Sequence, residues 1–231
     1  SDVCSSDLQA RVELAYHGLD GGRFPPAPER APGPDEPVVV LSVGRAVPKK
    51  GTEVLLNALA RLPRDLAWRF VHVGGGPLRP ALEQQAATLG LSDRIEWRGA
   101  KAQPEVLAAY RGADVFALAS RIDAEGDRDG LPNVLMEAMS QRLPAVATTA
   151  GAIAELIEDG VSGLLVPPDD AEALAAALAR LIREPGLRRL LGAAGERRVR
   201  RDFAVDAGID RIAALLGAPA QERRLPTGTA S

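Results

Sequence analysis

The sequence predicts an α/β domain in which helices flank a parallel sheet. Three observations predict this class. The chain has 231 residues and is 46% hydrophobic, which is enough to build one core without metal or disulfide support. Short apolar runs alternate with stretches of helical periodicity. The first such run, Val38–Val43, is apolar except for Ser42, as expected of a strand buried on both faces of a parallel sheet.

Strands and helices are expected to alternate up to residue 166, after which helices follow one another. After Val38–Val43, strands are predicted at Trp68–Val73, Ile95–Trp97, Asp114–Leu118, Pro144–Ala147 and Gly163–Val166. Helices are predicted between them at Thr52–Leu62, Leu78–Leu89, Pro104–Tyr110, Pro132–Ser140 and Ile153–Ile157, and then at 170–183, 186–201 and 203–216. Right-handed crossovers between parallel strands place ligands at the carboxyl ends of the strands.

Both ends of the chain are expected to lie outside the domain, which we place at residues 38–216. Residues 1–8 resemble the translated end of a sequencing adapter. We therefore expect that they do not belong to the natural protein and that its sequence is truncated upstream. A disordered native terminus is the alternative. Residues 9–37 are predicted to form a leading strand at 11–16 and a proline-rich linker with six prolines. The polar residues 217–231 are predicted to be a disordered tail.

Composition excludes several classes of site. The net charge is −3, so no general nucleic-acid surface is visible. A single cysteine excludes an internal disulfide framework and a multi-cysteine zinc site, and two histidines do not make a histidine-rich metal site. No apolar run approaches the ~18–20 residues of a membrane span. Of the 28 basic residues, the lysines are Lys49, Lys50 and Lys101, so the adjacent pair stands out.

The first candidate binding loop follows the first strand and runs from Gly44 to Gly51. Its glycines allow the backbone to turn, and Thr52 is a candidate cap for the next helix. Lys49 and Lys50 place two cations beside a helix N-terminus, which suits a diphosphate. A solvated basic loop is the alternative. The glycine and lysine spacing of a P-loop is absent.

The second candidate loop is the glycine run Gly74–Gly76 at the end of the second strand. Three successive glycines let a ligand approach the backbone closely, and a flexible turn between strand and helix is the alternative. The run lacks the G-x-G-x-x-G spacing, so a dinucleotide-binding fingerprint is unsupported.

The third and most informative segment runs from Asp129 to Glu137. Pro132 suits the first turn of the predicted helix. Asp129 precedes that helix and Glu137 lies about one turn inside it, so both carboxylates can face one crevice and bind hydroxyl groups. An exposed surface position is the alternative for Glu137, but its apolar neighbours weigh against it. The free backbone amides at the helix start are those of Leu131, Asn133 and Val134. Such amides favour an anion at this position.

Two charged segments and two histidines complete the candidates. Residues 120–128 form a polar loop after a strand, with mobility as the alternative to a binding role. Eight arginines in residues 180–201 are a candidate surface for anionic lipid head groups, although a solvated helix pair is the favoured interpretation. His72 lies in a buried strand pattern and is predicted to be structural, and neither it nor His17 is assigned a catalytic role.

Taken in this order, the motifs resemble the nucleotide-sugar-binding, C-terminal half of family 4 glycosyltransferases, which have the GT-B architecture. The resemblance covers residues 11–216 and implies a Rossmann-like sheet. Its landmarks are Tyr16–Asp20 at the start of that half, Gly44–Gly51 as the diphosphate clamp, Gly74–Pro77 as the donor loop, Asp129 and Glu137 as the E-x7-E element, and Gly160–Val166 after it.

The resemblance implies a role for each matched residue. Arg45 and Lys50 would bind the donor diphosphate and stabilise it as the leaving group. Glu137 would accept hydrogen bonds from the ribose, and Asp129 would contact hydroxyls of the transferred sugar, which makes these four the implied catalytic residues. Arg98 and Gly99 would lie beside the base. The other implied donor contacts are Gly44, Gly75, Gly76, Gly130, Leu131, Asn133 and Val134.

The implied activity is transfer of a hexose, with retention, from a nucleotide-diphosphate sugar to a saccharide or lipid-linked acceptor. No metal or other cofactor is expected, because the two cations would replace it. Residues 128–133 resemble a subset acting in exopolysaccharide or colanic-acid-type assembly, which implies a cytoplasmic protein at the inner membrane face. Asp129 stands where the family usually has glutamate, so the identity of the sugar stays open.

The family's N-terminal, acceptor-binding domain has no counterpart in this sequence. We therefore expect a fragment that binds the donor and is inactive alone, with an exposed apolar face on the helix at 203–216. The alternative is a stand-alone nucleotide-sugar-binding module without transfer. A nicotinamide oxidoreductase is disfavoured by the missing glycine fingerprint, and a GT-B epimerase by the lack of evident acid–base residues.

Overall fold

The computed structural model describes residues 16–28 and 36–216, in which strands and helices alternate as predicted. The strands are β1 (Val38–Val43), β2 (Trp68–Val73), β3 (Ile95–Trp97), β4 (Val115–Leu118), β5 (Ala145–Thr148) and β6 (Leu164–Val166). The helices are α1 (Thr52–Ala60), α2 (Arg79–Thr88), α3 (Gln103–Arg111), α4 (Asn133–Ser140), α5 (Ile153–Leu156), α6 (Ala171–Arg183), α7 (Pro185–Asp202) and α8 (Val205–Leu215). Their ends lie within two residues of the predicted ones.

The strands form one parallel sheet in the order β3-β2-β1-β4-β5-β6. This is a Rossmann-like order, and the predicted fold class is confirmed. The order reverses between β1 and β4, and a crevice opens at the carboxyl ends of the strands on either side of such a reversal. The loops that follow β1, β2, β3 and β4 therefore meet at one edge.

The sheet is covered on both faces by apolar side chains. Alternate residues of β1 enter different clusters: Val40 packs in the cluster that contains Leu55 of α1, whereas Leu41 packs in the cluster that contains Leu135 of α4. All four side chains are at most 1% exposed. Burying each stabilises the fold by about 1.5–3 kcal/mol, which holds the strand ends in place beneath the candidate site.

Two predicted helix starts need correction. Thr52 does not cap α1: it is the first helical residue and is buried, and the cap position is Gly51 with a left-handed φ of 58°. Pro132 does not lie in the first turn of α4. It occupies the cap position with an extended ψ of 117°, because the residue before a helix is not yet helical, and the helix begins at Asn133.

The segment that leads into the domain runs beside the last helix. The Leu19 amide donates to the Phe203 carbonyl at 2.7 Å, and the Val205 amide donates to the Leu19 carbonyl at 3.1 Å. Of the strand predicted at 11–16, only Tyr16 is described, and it lies in a loop. The adapter-like residues 1–8, part of the linker and the tail at 217–231 lie outside the described residues.

Helix α8 has the exposed apolar face that was expected: Ile209, Ile212 and Leu215 are 37–51% exposed. Such a stripe on a surface helix marks an interaction surface or an aggregation risk. Within residues 16–28 and 36–216, no helix has both the length and the apolar content that crossing a bilayer requires.

Three arginines of α7 are used inside the domain. Arg188 donates to the carbonyls of Leu181 and Ile182 at the end of α6, and Arg198 donates to the Leu156 carbonyl at 2.7 Å. Arg200 donates to the Ser140 carbonyl at 2.9 Å. These side chains satisfy helix C-termini, so they are not simply solvated. A lipid-binding role for the remaining arginines stays a prediction.

Candidate functional site

The loops after β1 and β2 interlock at the carboxyl edge of the sheet. The Ala46 amide donates to the Gly75 carbonyl at 2.8 Å, and the two chains touch backbone to backbone. A Cβ on Gly74 would lie 1.8 Å from the Gly44 carbonyl oxygen, and one on Gly76 would lie 2.6 Å from that of Ala46. These two glycines are therefore needed for loop packing. Gly75 alone of the three faces open space.

The lysine pair lies on a short 3-10 turn, Pro48–Lys50, seated on the end of β4. Gly51 closes the turn, and a Cβ there would lie 2.0 Å from the Ala119 carbonyl oxygen. Arg121 holds the turn from the other side: its amide donates to the Lys49 carbonyl at 2.9 Å and its Nε to the Pro48 carbonyl at 3.2 Å. The turn is thus fixed by backbone contacts on both sides.

Lys50 and Asp129, both predicted site residues, form an ion pair. The Lys50 Nζ lies 2.7 Å from the Asp129 Oδ2, and the side chains are only 16% and 12% exposed. The same carboxylate oxygen accepts a hydrogen bond from the buried Ser120 hydroxyl at 2.9 Å. The aliphatic part of the Lys50 side chain runs along Gly44. A Cβ added to Gly44 would lie 3.6 Å from the Lys50 Cε.

Lys49 and Arg45 differ from Lys50 in their surroundings. The Lys49 Nζ pairs with the exposed Asp127 at 2.9 Å, and this hydrogen bond raises the pKa of Lys49 and lowers that of Asp127. The Arg45 guanidinium is exposed and has no side-chain partner in residues 16–28 and 36–216. Of the three cations, Arg45 is therefore the one that can meet an anion without first breaking an ion pair.

The start of α4 presents backbone donors, as the sequence predicted. Among the described residues, no acceptor takes the amides of Leu131, Asn133 or Val134. Such amides, together with the helix dipole, favour an anion at this end. The Asn133 Oδ1 lies in hydrogen-bond contact with the His17 Nε2. Sequence reasoning left His17 without a partner, because the two residues are 116 apart in the chain.

Glu137 is half-buried on α4, so a simple surface position is wrong for it. Its Oε2 accepts a hydrogen bond from the Tyr110 hydroxyl of α3 at 2.9 Å. Burial raises the pKa of Glu137, while the Tyr110 hydrogen bond and the nearby Arg23 act against that rise. Glu137 thus contacts α3 whereas Asp129 contacts the lysine turn, so the two carboxylates have no shared partner among the described residues. That both face one crevice stays a prediction.

The residues after β3 lie against the glycine loop. The Arg98 amide donates to the His72 carbonyl at 2.9 Å, and the Gly99 carbonyl accepts from the Gly74 amide at 2.8 Å. The Arg98 guanidinium pairs with Glu96 at 2.8 Å, which raises the pKa of Arg98. Two backbone groups of the predicted base-binding pair are therefore already used in holding the loop.

One residue of the site escaped sequence reasoning. Gly151, in the loop after β5, has a left-handed φ of 61°, and a Cβ there would lie 2.2 Å from the Asp129 carbonyl oxygen. The next amide, of Ala152, donates to the Gly130 carbonyl at 3.2 Å. The loop after β5 thus supports the backbone that carries Asp129. A lone glycine between a strand and a helix gave no signal of this contact.

A cavity of about 650 Å³ lies at the opposite edge of the sheet. It is lined by Val38 at the start of β1, by Asp114 before β4 and by Pro144 before β5. The candidate site, by contrast, is formed by loops at the carboxyl edge of the sheet. These loops carry the lysine turn, the Lys50–Asp129 pair and the free amides of α4, whereas enclosed volume alone carries no chemistry.

Comparison with known proteins agrees with this arrangement. Residues 37–184, which include the lysine turn and the segment from Asp129 to Glu137, match the family model described as glycosyl transferases group 1. The chain belongs to this family. Among curated relatives, the putative colanic acid biosynthesis glycosyltransferase WcaL of Salmonella typhimurium is 38% identical over 209 residues, covering 89% of this chain and 51% of that protein. The chain therefore spans about half the length of the curated relatives it matches.

Two solved structures share the fold. The Anabaena protein Alr3699/HepE, crystallised in complex with UDP-glucose, is 25% identical with a TM-score of 0.75, covering 89% of this chain and 57% of that one. The C-terminal domain of the group 1 glycosyl transferase LpcC from Francisella tularensis is 26% identical with a TM-score of 0.70, covering 81% of this chain and 100% of that one. The second match covers the whole of that crystallised domain.

Proposed function

We propose that this chain is the donor-binding half of a retaining glycosyltransferase. It binds a nucleotide-diphosphate sugar at the carboxyl edge of the sheet. As part of a longer protein, it transfers a hexose from that donor to a saccharide or lipid-linked acceptor in cell-surface polysaccharide synthesis. The observation that carries the proposal is the Lys50–Asp129 pair, which joins the loop that carries Arg45 to the segment that leads into the free amides of α4.

The proposed chemistry follows from where charge develops. When the sugar leaves, negative charge accumulates on the donor diphosphate, and cations fixed beside it stabilise the transition state more than the ground state. Lys50 is fixed by the turn beneath it, and Arg45 is exposed at the same loop. Two cations together with the helix amides supply this stabilisation without a metal, so we propose metal-independent binding.

The two carboxylates divide the remaining recognition. We assign Glu137 to the ribose hydroxyls and Asp129 to the transferred sugar, because carboxylates accept strong hydrogen bonds from hydroxyl groups. Binding of a nucleotide sugar is supported by the relatives: HepE was crystallised with UDP-glucose, and WcaL is described as a putative colanic acid biosynthesis glycosyltransferase.

Calorimetric titration of the 231-residue chain tests donor binding. UDP, GDP, ADP and pyrophosphate are each titrated with magnesium and with EDTA. We expect one nucleotide to bind equally well in both buffers, and we expect Arg45→Ala to weaken it by about 1.5–3 kcal/mol, the worth of a hydrogen bond to a charged group.

The matched control is Arg189→Ala, which removes an exposed arginine that lines the cavity at the opposite edge. It should leave the affinity unchanged. Absence of binding by all four ligands, or equal losses in both variants, contradicts the proposed site. Transfer and retention are tested on the longer protein, by NMR assignment of the anomeric configuration of the product.

A further inference from the structure

Tyr110 is a core tyrosine whose hydroxyl reaches the site. Its side chain is 0% exposed, and its ring packs against Phe116 with centroids 6.0 Å apart. The hydroxyl oxygen lies 2.9 Å from the Glu137 Oε2 and 3.3 Å from the Val134 carbonyl. A phenol has one proton to donate, and the shorter contact to a charged acceptor is the stronger one. The hydroxyl therefore donates to Glu137.

We propose that Tyr110 is a positioning residue for donor binding: by donating to Oε2, it holds the Glu137 carboxylate so that Oε1 is left to accept from a ribose hydroxyl. This inference rests on the proposed function, in which Glu137 contacts the ribose. Tyr110 itself does not touch the donor. Its effect passes through Glu137 alone, and this is what makes it separable from a role in the core.

The surroundings of Glu137 explain why a carboxylate here needs a fixed partner. Glu137 is half-buried, and this burial raises the pKa of its carboxyl. A half-buried carboxylate without a hydrogen bond is costly in its charged form. A long flexible side chain also loses conformational entropy when it is ordered by ligand. Tyr110 removes both costs before the donor arrives.

Two groups face Glu137 from the elements packed against it. Tyr110 comes from α3, and Arg23 comes from the segment that leads into the domain. Arg23 is itself anchored on the side chain of Gln103, the first residue of α3, with Nε 3.0 Å from Oε1. Both groups favour the charged carboxylate, which is the better acceptor for a hydroxyl. When the Tyr110 hydroxyl is removed, Arg23 is the one of these two groups that still favours the charged carboxylate.

The test is Tyr110→Phe in the 231-residue chain, titrated from pH 5 to 8 with UDP, GDP, ADP and pyrophosphate. Phenylalanine keeps the ring contact with Phe116. We expect an about three- to tenfold loss of affinity for the nucleoside diphosphate at pH 7 and no loss for pyrophosphate. The pH below which nucleoside diphosphate binding falls should move upward, because the carboxylate has lost a donor that favours its charged form.

Tyr16→Phe is the matched control, because Tyr16 also donates to a carboxylate, that of Glu155, away from Glu137. It should leave both affinities and the pH profile unchanged. Tyr16 and Tyr110 are the two tyrosines of the sequence. In the Tyr16→Phe background, 3-fluorotyrosine therefore labels position 110 alone and makes its hydroxyl a stronger donor. This replacement should move the pH profile in the opposite direction, without any change of fold.

Glu137→Gln separates failure of this inference from failure of the proposed function. If Glu137→Gln weakens nucleoside diphosphates and pyrophosphate equally, the ribose role is wrong. If Glu137→Gln behaves as proposed, Tyr110→Phe should have no further effect in its background. Equal losses from Tyr110→Phe in both backgrounds, or an unmoved pH profile in both the phenylalanine and the fluorotyrosine proteins, overturn the positioning role.

Discussion

The Nζ of Lys50 lies 2.7 Å from the Oδ2 of Asp129, although the two residues are 79 apart in the chain. The pair joins the turn after β1 to the loop after β4, across the point where the strand order reverses. Asp129 thus occupies the cation that we assign to the diphosphate. The carboxylate takes one of the three ammonium protons and offsets part of the charge, so the ion pair weakens the attraction of Lys50 for the donor diphosphate.

Replacing Asp129 by asparagine should therefore strengthen pyrophosphate binding. We expect a gain of about three- to tenfold, because a carboxylate no longer offsets the ammonium charge. Asparagine can still accept the Ser120 hydroxyl bond, so the loop should stay in place. Asp127→Asn, which leaves the more exposed Lys49 only its 4.0 Å contact with Asp129, should give a smaller gain. Weaker binding by Asp129→Asn would show instead that the carboxylate orients Lys50 for the phosphate.

Gly51→Ala should disrupt the turn that carries Lys50. A left-handed φ of 58° costs an alanine about 1–2 kcal/mol, and its Cβ would also overlap the Ala119 carbonyl, 2.0 Å away. Gly90→Ala is the control, because Gly90 has φ 69° with nothing within 4 Å. Urea unfolding should show a larger loss of stability for Gly51→Ala, and pyrophosphate titration should show weaker binding for it alone. Equal losses of stability in both proteins would mean that the turn accepts the added Cβ at position 51 without an extra cost in free energy.

His72 should make stability depend on pH. Burial lowers the pKa of His72 to about 4, so the folded protein holds a neutral imidazole. Below the ordinary value of about 6.5, the unfolded chain binds a proton that the folded chain does not. Stability is therefore fully present above pH 6.5 and is lost as the pH falls towards 4. Between pH 7 and 5 the loss is about 2 kcal/mol.

Urea unfolding at pH 7 and 5 measures this loss. His72→Phe should reduce the difference between the two pH values, since phenylalanine can pack beside Phe70 and Trp97, the ring neighbours of His72. His17→Phe changes an exposed histidine and should leave the difference intact. An unchanged difference in His72→Phe would assign the pH dependence to other groups.

The fold was predictable because its signals are local. A strand buried on both faces is a continuous apolar run, and Val38–Val43, Trp68–Val73 and Ile95–Trp97 were predicted with the bounds observed. Parallel topology then brings the loops after successive strands to one edge, so the diphosphate loop, the glycine run and Asp129 could be expected to meet. The predictions that failed were at Thr52 and Pro132, where one residue of helix phase decides between cap and first turn.

The partners inside the site were not predictable. The pairing of Lys50 with Asp129, of Tyr110 with Glu137 and of His17 with an α4 side chain joins residues with no shared periodicity. Tyr110 was predicted only as the last residue of a helix, and only its hydroxyl reaches Glu137. The contact of Gly151 with the Asp129 backbone depends on a left-handed φ, which a single glycine in a loop does not predict.

Arg121→Ala should weaken pyrophosphate and nucleoside diphosphates by the same factor, about three- to tenfold. Arg121 ties the turn Pro48–Lys50 to its surroundings, with its guanidinium 2.5 Å from Glu53 and 3.0 Å from Asp169 and its Nε on the Pro48 carbonyl. Lysine cannot form this planar set of bonds, so Arg121→Lys should fail in the same way. Asp169→Asn removes an exposed ion pair only and should leave both affinities near those of the unmodified chain. Titration of the unmodified chain and the three variants with pyrophosphate and with a nucleoside diphosphate measures these affinities.

A loss of affinity confined to nucleoside diphosphates, or lower stability with unchanged affinities, would mean that the turn holds its shape through the Gly51 contact and the Arg121 amide alone.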